Sequence, residues 1–442
     1  MVVKNLYNLR NLFKIPPSPL LLINIIMNSF VSKTYCPLPF NHLYIHPSNM
    51  ASVCCGFRKE FEMGQLPDIQ EYDKLSDHLN HPFIKDIQQK MLKGEKIPGC
   101  ATCYYSEKNG YQSMREKEIE TWHIETFRDF TPPDLDKPKL EFLEVTFGNY
   151  CNLACRTCCS DLSHSWLKEN KMLIDMNLPY SVTTTRMNID REWHEDDFKD
   201  LQYIKITGGE PMLHPDFPKF MERLEQQNIY CFIFTNASWV PKKRIFDMMK
   251  NFKSLQVFLS VDGTGTVQEY IRHNSDWKTT EKSVRAWMKW AVEMNNVQVS
   301  WAPTWSLMNA SYYVDICKWW LSLTEGYDLK MGWSLVKTNF IYGPDYYQMS
   351  LLPNKEELKQ QARDFITELE NSSIWGVRDI IDMTEAYIQF FDNDTENDTE
   401  NEERKLSMYY KITEVLDDIR GQSFKKMIPL TYEAMVGCTK DD

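Results

Sequence analysis

The chain has 442 residues, of which 43% are apolar and 13% aromatic, enough to bury two or three domains and too many for wholesale disorder. Acidic residues number 62 against 50 basic, a net charge of −12 that argues against a general nucleic-acid backbone binder and is met equally well by solubility. The chain is long, shows no Ala-x-Ala cleavage site and clusters its 12 cysteines, which argues against a secreted disulfide framework and points to a reducing, cytoplasmic setting.

In chain order, residues 1–30 read as a disordered extension. Its apolar run Leu20–Ile26 is too short to cross a bilayer, and Pro16 and Pro17 interrupt any helix. Met27 is a plainer start than a targeting segment, and no membrane partner is expected. Residues 31–115 form a small cysteine-rich domain holding Cys36, Cys54, Cys55, Cys100 and Cys103. A hairpin is expected with strands 43–45 and 52–54 and a turn at Pro47-Ser48-Asn49. Leu79, Phe83, Ile87 and Met91 recur at helical spacing, which predicts one amphipathic helix from Leu75 to Lys93. So few elements bury little core, so metal is expected to stabilise them.

From residue 139 to 340 strands and helices alternate. Strands are expected at 140–147, 203–207, 229–235, 255–261, 297–303 and 329–335, and helices at 161–175, 216–227, 241–251, 276–294 and 311–323. Six strands with crossover helices predict an α/β fold with a parallel sheet, a partial (β/α)6 TIM-like barrel whose ligands sit at the carboxyl ends of the strands. Residues 350–442 form a helical C-terminal extension, interrupted by an acidic loop at 392–404 that reads as solvated.

The strongest chemical signal is Cys151, Cys155 and Cys158, spaced C-x3-C-x2-C just after the first barrel strand. Three thiolates on one loop can hold three irons of a 4Fe-4S cube and leave the fourth open for chemistry. The competing reading is a structural zinc with Cys159 or a histidine as fourth ligand, although zinc sites usually pair two C-x2-C units. The turn Gly208-Gly209-Glu210-Pro211 ends the second strand, on the same rim as the cysteine loop. Glycines there allow close backbone approach, and Glu210 can accept a charge-assisted hydrogen bond.

The cysteine loop together with Ile204-Lys-Ile-Thr-Gly-Gly-Glu-Pro-Met-Leu-His-Pro-Asp216 resembles the radical S-adenosylmethionine (radical SAM) enzymes, over about Leu140 to Leu335. The resemblance implies that S-adenosylmethionine chelates the open iron, is cleaved on reduction, and yields a 5'-deoxyadenosyl radical that abstracts a substrate hydrogen atom. It also implies a low-potential electron donor of flavodoxin or ferredoxin type. Gly208, Gly209 and Glu210 are expected at the methionine, Ser260 and Asp262 at the ribose, Arg272 at the carboxylate and Asn236 in the lining. An Asp-Gly turn competes for Asp262, and a surface salt bridge for Arg272. Thr157 stands where the family often has an aromatic residue near the adenine. No residue is assigned as catalytic.

Cys36, Cys54 or Cys55, Cys100 and Cys103 resemble the SPASM/Twitch auxiliary modules of that superfamily, placed here before the barrel. Cys36, Cys54, Cys100 and Cys103 are the expected ligands of a second 4Fe-4S cluster, with a zinc knuckle as the alternative. Cys231 and Cys317 read as core, and Cys438 as a free thiol. The expected substrate is a peptide or protein. A small metabolite or sugar, or a non-catalytic iron-sulfur or zinc interaction role, are the alternatives.

Overall fold

A computed structural model describes residues 34–57, 66–108, 112–126, 135–178, 181, 183–327, 335–372, 376–392 and 399–437. The N-terminal extension, nearly all of the expected strand 329–335, residues 393–398 of the acidic loop and Cys438 lie outside them. The chain divides into two units. The first comprises residues 1–148, 188–207 and 218–231, and the second 149–187, 208–217 and 232–442.

In the first unit β1 (His42–Ile45) turns back into β2 (Ala51–Ser52) as an antiparallel hairpin, with Tyr44 opposite Ser52. Asn49 takes the left-handed conformation in the turn (φ 67°), which asparagine tolerates. The hairpin is not self-contained. β1 also pairs in parallel with β3 (Phe142–Thr146), and β3 pairs in parallel with β4 (Tyr203–Thr207). Alternation separates two faces. Leu43, Ile45, Leu143, Val145, Ile204 and Ile206 are fully buried on one. The other carries Tyr44, Glu144, Thr146, Lys205 and Thr207, joined by Glu144–Lys205 (2.6 Å) and Thr146–Thr207 (2.8 Å) contacts. Burial opposes ionisation of Glu144, yet Lys205 beside it prevails and holds that carboxyl below its usual range.

The single helix expected over Leu75–Lys93 is two elements. A 3-10 turn spans Leu75–Asn80, and α1 spans Pro82–Leu92. Pro82 forces His81 out of the helical region (φ −60°, ψ 137°) and then starts α1 as a first-turn proline. Helices α2 (Ala101–Lys108) and α3 (Met114–Thr126) follow. Ile84, Ile87 and Met91 of α1 pack with Tyr35, Phe40, Val53 and Phe57, and Cys54 and Cys100 lie against that core.

In the second unit β6 (Ser254–Leu259) and β7 (Val297–Trp301) pair in parallel, with α7 (Gly265–Ile271) and α8 (Trp277–Glu293) between them in the chain. These follow α4 (Leu167–Asp175), α5 (Phe217–Glu222), β5 (Tyr230–Thr235) and α6 (Lys243–Met249) in the chain, while nearly all of α5 and the first two residues of β5, Cys231 among them, fall in the first unit. Asp276 caps α8 by accepting from Thr279 N–H (2.8 Å). Then come α9 (Tyr313–Glu325) and the C-terminal helices α10 (Lys355–Glu370), α11 (Val377–Asp392) and α12 (Thr399–Arg420). Trp301, Trp305 and Trp320 are fully buried, as is Cys317, and Cys231 of β5 is buried too.

The sheet has seven strands in the order β2-β1-β3-β4-β5-β6-β7. The expected α/β class, with its parallel sheet and helical C-terminal region, is the one observed, in keeping with a partial TIM-like fold. Among the described residues no helix is long and apolar enough to cross a membrane.

Candidate active site

The cysteine loop lies in the second unit. Cys151, Leu153 and Cys155 are buried, and Cys158 packs against them. The loop backbone is bound at many points. Cys151 N–H donates to His164 Nδ1 (3.0 Å), and Ser165 Oγ donates to Cys151 O (2.7 Å). Ser163 Oγ donates to Leu153 O (2.5 Å), and Trp166 Nε1 to Cys155 O (2.9 Å). Residues 154–155 pair antiparallel with 272–273, Cys155 opposite Arg272. Burial first, then Cys155 nearby, push the Cys151 thiol up to about 12. Burial and all three neighbouring thiols raise Cys158 well above its ordinary value. Thiols that resist ionisation alone but stand together suit a cationic iron centre, which pulls protons off its ligands. The residues present therefore fit an iron-sulfur cluster.

The Gly208–Pro211 turn meets this loop directly. Gly208 has φ 131°, a conformation that favours glycine. A Cβ on Gly209 would stand 2.3 Å from Tyr150 O and 2.8 Å from Cys151 Cβ. Glu210 N–H donates to Tyr150 O (2.8 Å). The space beside Gly209 is thus taken by the cysteine loop. Gly209→Ala is expected to displace Cys151 and lower iron uptake well below one cluster per loop, measured by iron analysis after anaerobic reconstitution.

Glu210 is fully buried. It accepts from Thr235 Oγ1 (2.9 Å) and from Asn236 N–H (2.7 Å) at the end of β5. Asn236 Nδ2 in turn donates to Cys151 Sγ (3.7 Å) and Asn152 Oδ1 (3.0 Å). Asn236 therefore links the glutamate to the first cysteine, a stronger role than the lining position expected of it. Burial raises the Glu210 carboxyl to about 7 against the pull of these donors. The folded state then holds a proton that the unfolded chain has already lost, so stability falls as pH rises from the ordinary carboxylate range to about 7. Glu210→Gln is expected to flatten that slope in denaturant titrations of the metal-free protein across pH 4.5–8.

Asp262 and Arg272, assigned to opposite ends of the cofactor by sequence, are joined to each other. Arg272 Nε donates to Asp262 Oδ2 (2.7 Å), and Thr304 N–H donates to Oδ1 (2.9 Å). Asp262 is wholly buried and Arg272 nearly so, which replaces the surface salt bridge considered for Arg272 with an internal pair. Ser260 follows β6 directly, and its N–H donates to Thr235 O (2.9 Å). A cavity of about 570 Å³ lies on Thr157, Cys158 and Cys159, walled by Tyr346, Arg404 and Met408.

Sequence reading missed Asn149, His164 and Trp166. Asn149 Nδ2 donates to Ser160 O and Thr185 O, and its Oδ1 accepts from Met187 N–H. They carry no motif, and only their position shortly before or after the cysteines could have drawn attention to them.

The N-terminal cysteines Cys36, Cys54, Cys55, Cys100 and Cys103 lie in the first unit. Burial is the main cause that raises the Cys36 thiol, with Cys100 and Cys103 adding to it. Burial likewise raises Cys54, with Cys55, Cys36, Cys100 and Cys103 adding. Cys55 is exposed, and its Sγ lies 4.0 Å from Lys205 Nζ. Among the described residues no three His, Cys, Asp or Glu groups converge as a single metal ion requires.

Residues 145–293 match the family model described as the Radical SAM superfamily. That stretch, under half of the chain, is similar to radical SAM domains. No curated protein matches the chain. Solved structures similar to it include anSMEcpe with bound AdoMet, at 15% identity over 52% of this chain and 59% of that one, TM-score 0.38. Streptococcus suis SuiB bound to S-adenosylmethionine is similar at 14% identity over 52% and 45%, TM-score 0.32. TYW1 with a lysine-pyruvate adduct is similar at 14% over 51% and 71%, TM-score 0.30. The chain thus spans about half the length of the first two.

Proposed function

We propose that this enzyme binds a 4Fe-4S cluster on Cys151, Cys155 and Cys158 and uses it with S-adenosylmethionine to abstract a hydrogen atom from a peptide or protein. The observation that carries the reading is the packing of three thiols into one bonded loop, closed by the Gly208–Glu210 turn. When bound, the cluster supplies the electron that cleaves the sulfonium to a 5'-deoxyadenosyl radical.

The chain's own residues bind, orient and exclude water. Gly208 and Glu210 after β4, Asn236 after β5 and Ser260 after β6 are proposed to offer a carboxylate, an amide and a hydroxyl to the cofactor. Burial raises the Glu210 carboxyl, and a neighbouring ammonium would favour its ionised form. Asp262 and Arg272 hold each other, and Arg272 holds Cys155 through paired backbone. In the other unit Cys36, Cys54, Cys100 and Cys103 are proposed to hold a second 4Fe-4S cluster, with Cys54 and not Cys55 as ligand, because Cys55 is directed to Lys205. The peptide substrate rests on the resemblance of this module to SPASM/Twitch domains. A flavodoxin or ferredoxin is the proposed electron donor.

Anaerobic reconstitution followed by dithionite reduction tests the reading. Expected are about eight irons per chain, two four-iron cubes, and release of 5'-deoxyadenosine. A colourless protein that leaves S-adenosylmethionine intact would refute it.

A further inference from the structure

Arg156 sits inside the cysteine motif, between Cys155 and Cys158, yet its side chain belongs to the opposite end of the chain. It is 1% exposed. Its Nη2 donates to Asp417 Oδ1 (2.5 Å) and Gln422 Oε1 (3.0 Å), and its Nε to Tyr270 O (3.1 Å). Its guanidinium lies 3.8 Å over the Tyr270 ring. Asp417 is in the last turn of α12, and its second oxygen accepts from Phe424 N–H (2.6 Å). Gly421, in the left-handed region (φ 61°), ends the helix and lets Gln422 turn back onto the loop, where Gln422 Nε2 also donates to Glu269 O (3.1 Å).

A second arginine returns the contact. Arg420, at the end of α12, has a fully buried side chain and forks onto Glu169 of α4, with its shortest bond at 2.6 Å. Its guanidinium lies 4.5 Å over the Trp166 ring, and Trp166 Nε1 holds Cys155 O. The two arginines cross: one runs from loop to helix, the other from helix to the helix following the loop. Both are planar forks stacked on aromatic faces, the geometry in which arginine loses least freedom per bond. Further up, Arg404 and Met408 of α12 wall the cavity over Cys158.

We propose that α12 is a clamp that positions the cysteine loop, with Arg156–Asp417 and Arg420–Glu169 as positioning pairs that hold Cys155 and Cys158 in place before iron arrives and balance charge beside the cluster afterwards. The inference deepens the cluster reading and rests on it only for its second half. A carboxylate removed from Arg156 leaves a buried cation uncompensated next to the loop. That frees the loop in the metal-free protein, and in the loaded protein it favours the more reduced, more negative cluster.

The test uses the full chain with Asp417→Asn, Arg420→Lys, and the charge-balanced double variant Arg156→Gln/Asp417→Asn. In metal-free reduced protein, N-ethylmaleimide labelling is followed peptide by peptide, with Cys54 and Cys100 of the other unit as reference. Cys155 and Cys158 are expected to label at least about tenfold faster in Asp417→Asn, as local opening becomes easier. A smaller acceleration is expected in Arg420→Lys, which keeps the charge and loses the fork. In reconstituted protein, the cluster midpoint potential is expected to move positive in Asp417→Asn and back toward wild type in the double variant. Wild-type labelling together with an unmoved potential overturns the proposal. Equal acceleration at Cys54 and Cys100 overturns it too, because α12 would then hold up the whole chain and not this loop. A wild-type protein that takes up no iron but shows the selective labelling sinks the cluster reading alone and supports the clamp.

Discussion

Cys151→Ala is expected to lower S-adenosylmethionine cleavage by more than about a hundredfold, beyond what the loss of an outer partner of a metal ligand costs. The thiol is buried, its backbone N–H is taken by His164 and its carbonyl by Ser165, so the loop keeps its shape without it. What is lost is a corner of the cluster. Iron is expected to fall from about eight to about four per chain, the remainder held by the other unit. Cys36→Ala supplies the reciprocal case, losing the other four while 5'-deoxyadenosine is still formed on chemical reduction. Cleavage at the wild-type rate by the Cys151 variant would remove the cluster from this loop, whatever the iron count showed.

Asp262→Ala is expected to destabilise the second unit by about 3–5 kcal/mol, the range for breaking a buried ion pair and leaving one partner charged. Both carboxylate oxygens are used, one by Arg272 and one by Thr304 N–H. The variant therefore strands a buried guanidinium and leaves the partly buried Thr304 amide without that acceptor. Denaturant unfolding of the metal-free protein measures the loss, followed by a probe in the second unit. Asp262→Leu/Arg272→Met, which removes both charges and keeps apolar volume, is expected to regain much of it. A loss below about 1 kcal/mol in the single variant would place the pair among surface-like contacts.

Much of the site could be read from residue order because its parts are local. Cys151, Cys155 and Cys158 lie within one loop, and Gly208 to Glu210 within one turn, and each spacing already states its chemistry. Strands such as 203–207 and 297–303, the second ending at Trp301 in the fold, announce themselves by apolar content between helical segments. Other features failed for physical reasons. The break at His81 came from Pro82, whose ring acts on the residue before it and overrides an unbroken apolar stripe. Gly209 signals a close approach in the sequence, and only the fold says that the cysteine loop makes one there. Asp262 and Arg272 are expected at a ligand from the resemblance, and their mutual 2.7 Å contact is invisible in sequence.

The amino-acid order alone carries the signal on which the proposed chemistry rests, since ligand type and spacing are properties of a few neighbouring residues. It also determined the α/β alternation, since hydrophobic period follows each element's own geometry. Only the tertiary structure decided which side chains answer one another. Arg156 meets Asp417 across 261 positions, Arg420 meets Glu169 across 251, and the hairpin of the cysteine-rich segment extends the main sheet through β3. Such partners are chosen by burial, which makes an unmatched charge or strand edge costly and accepts whichever distant residue the fold brings near.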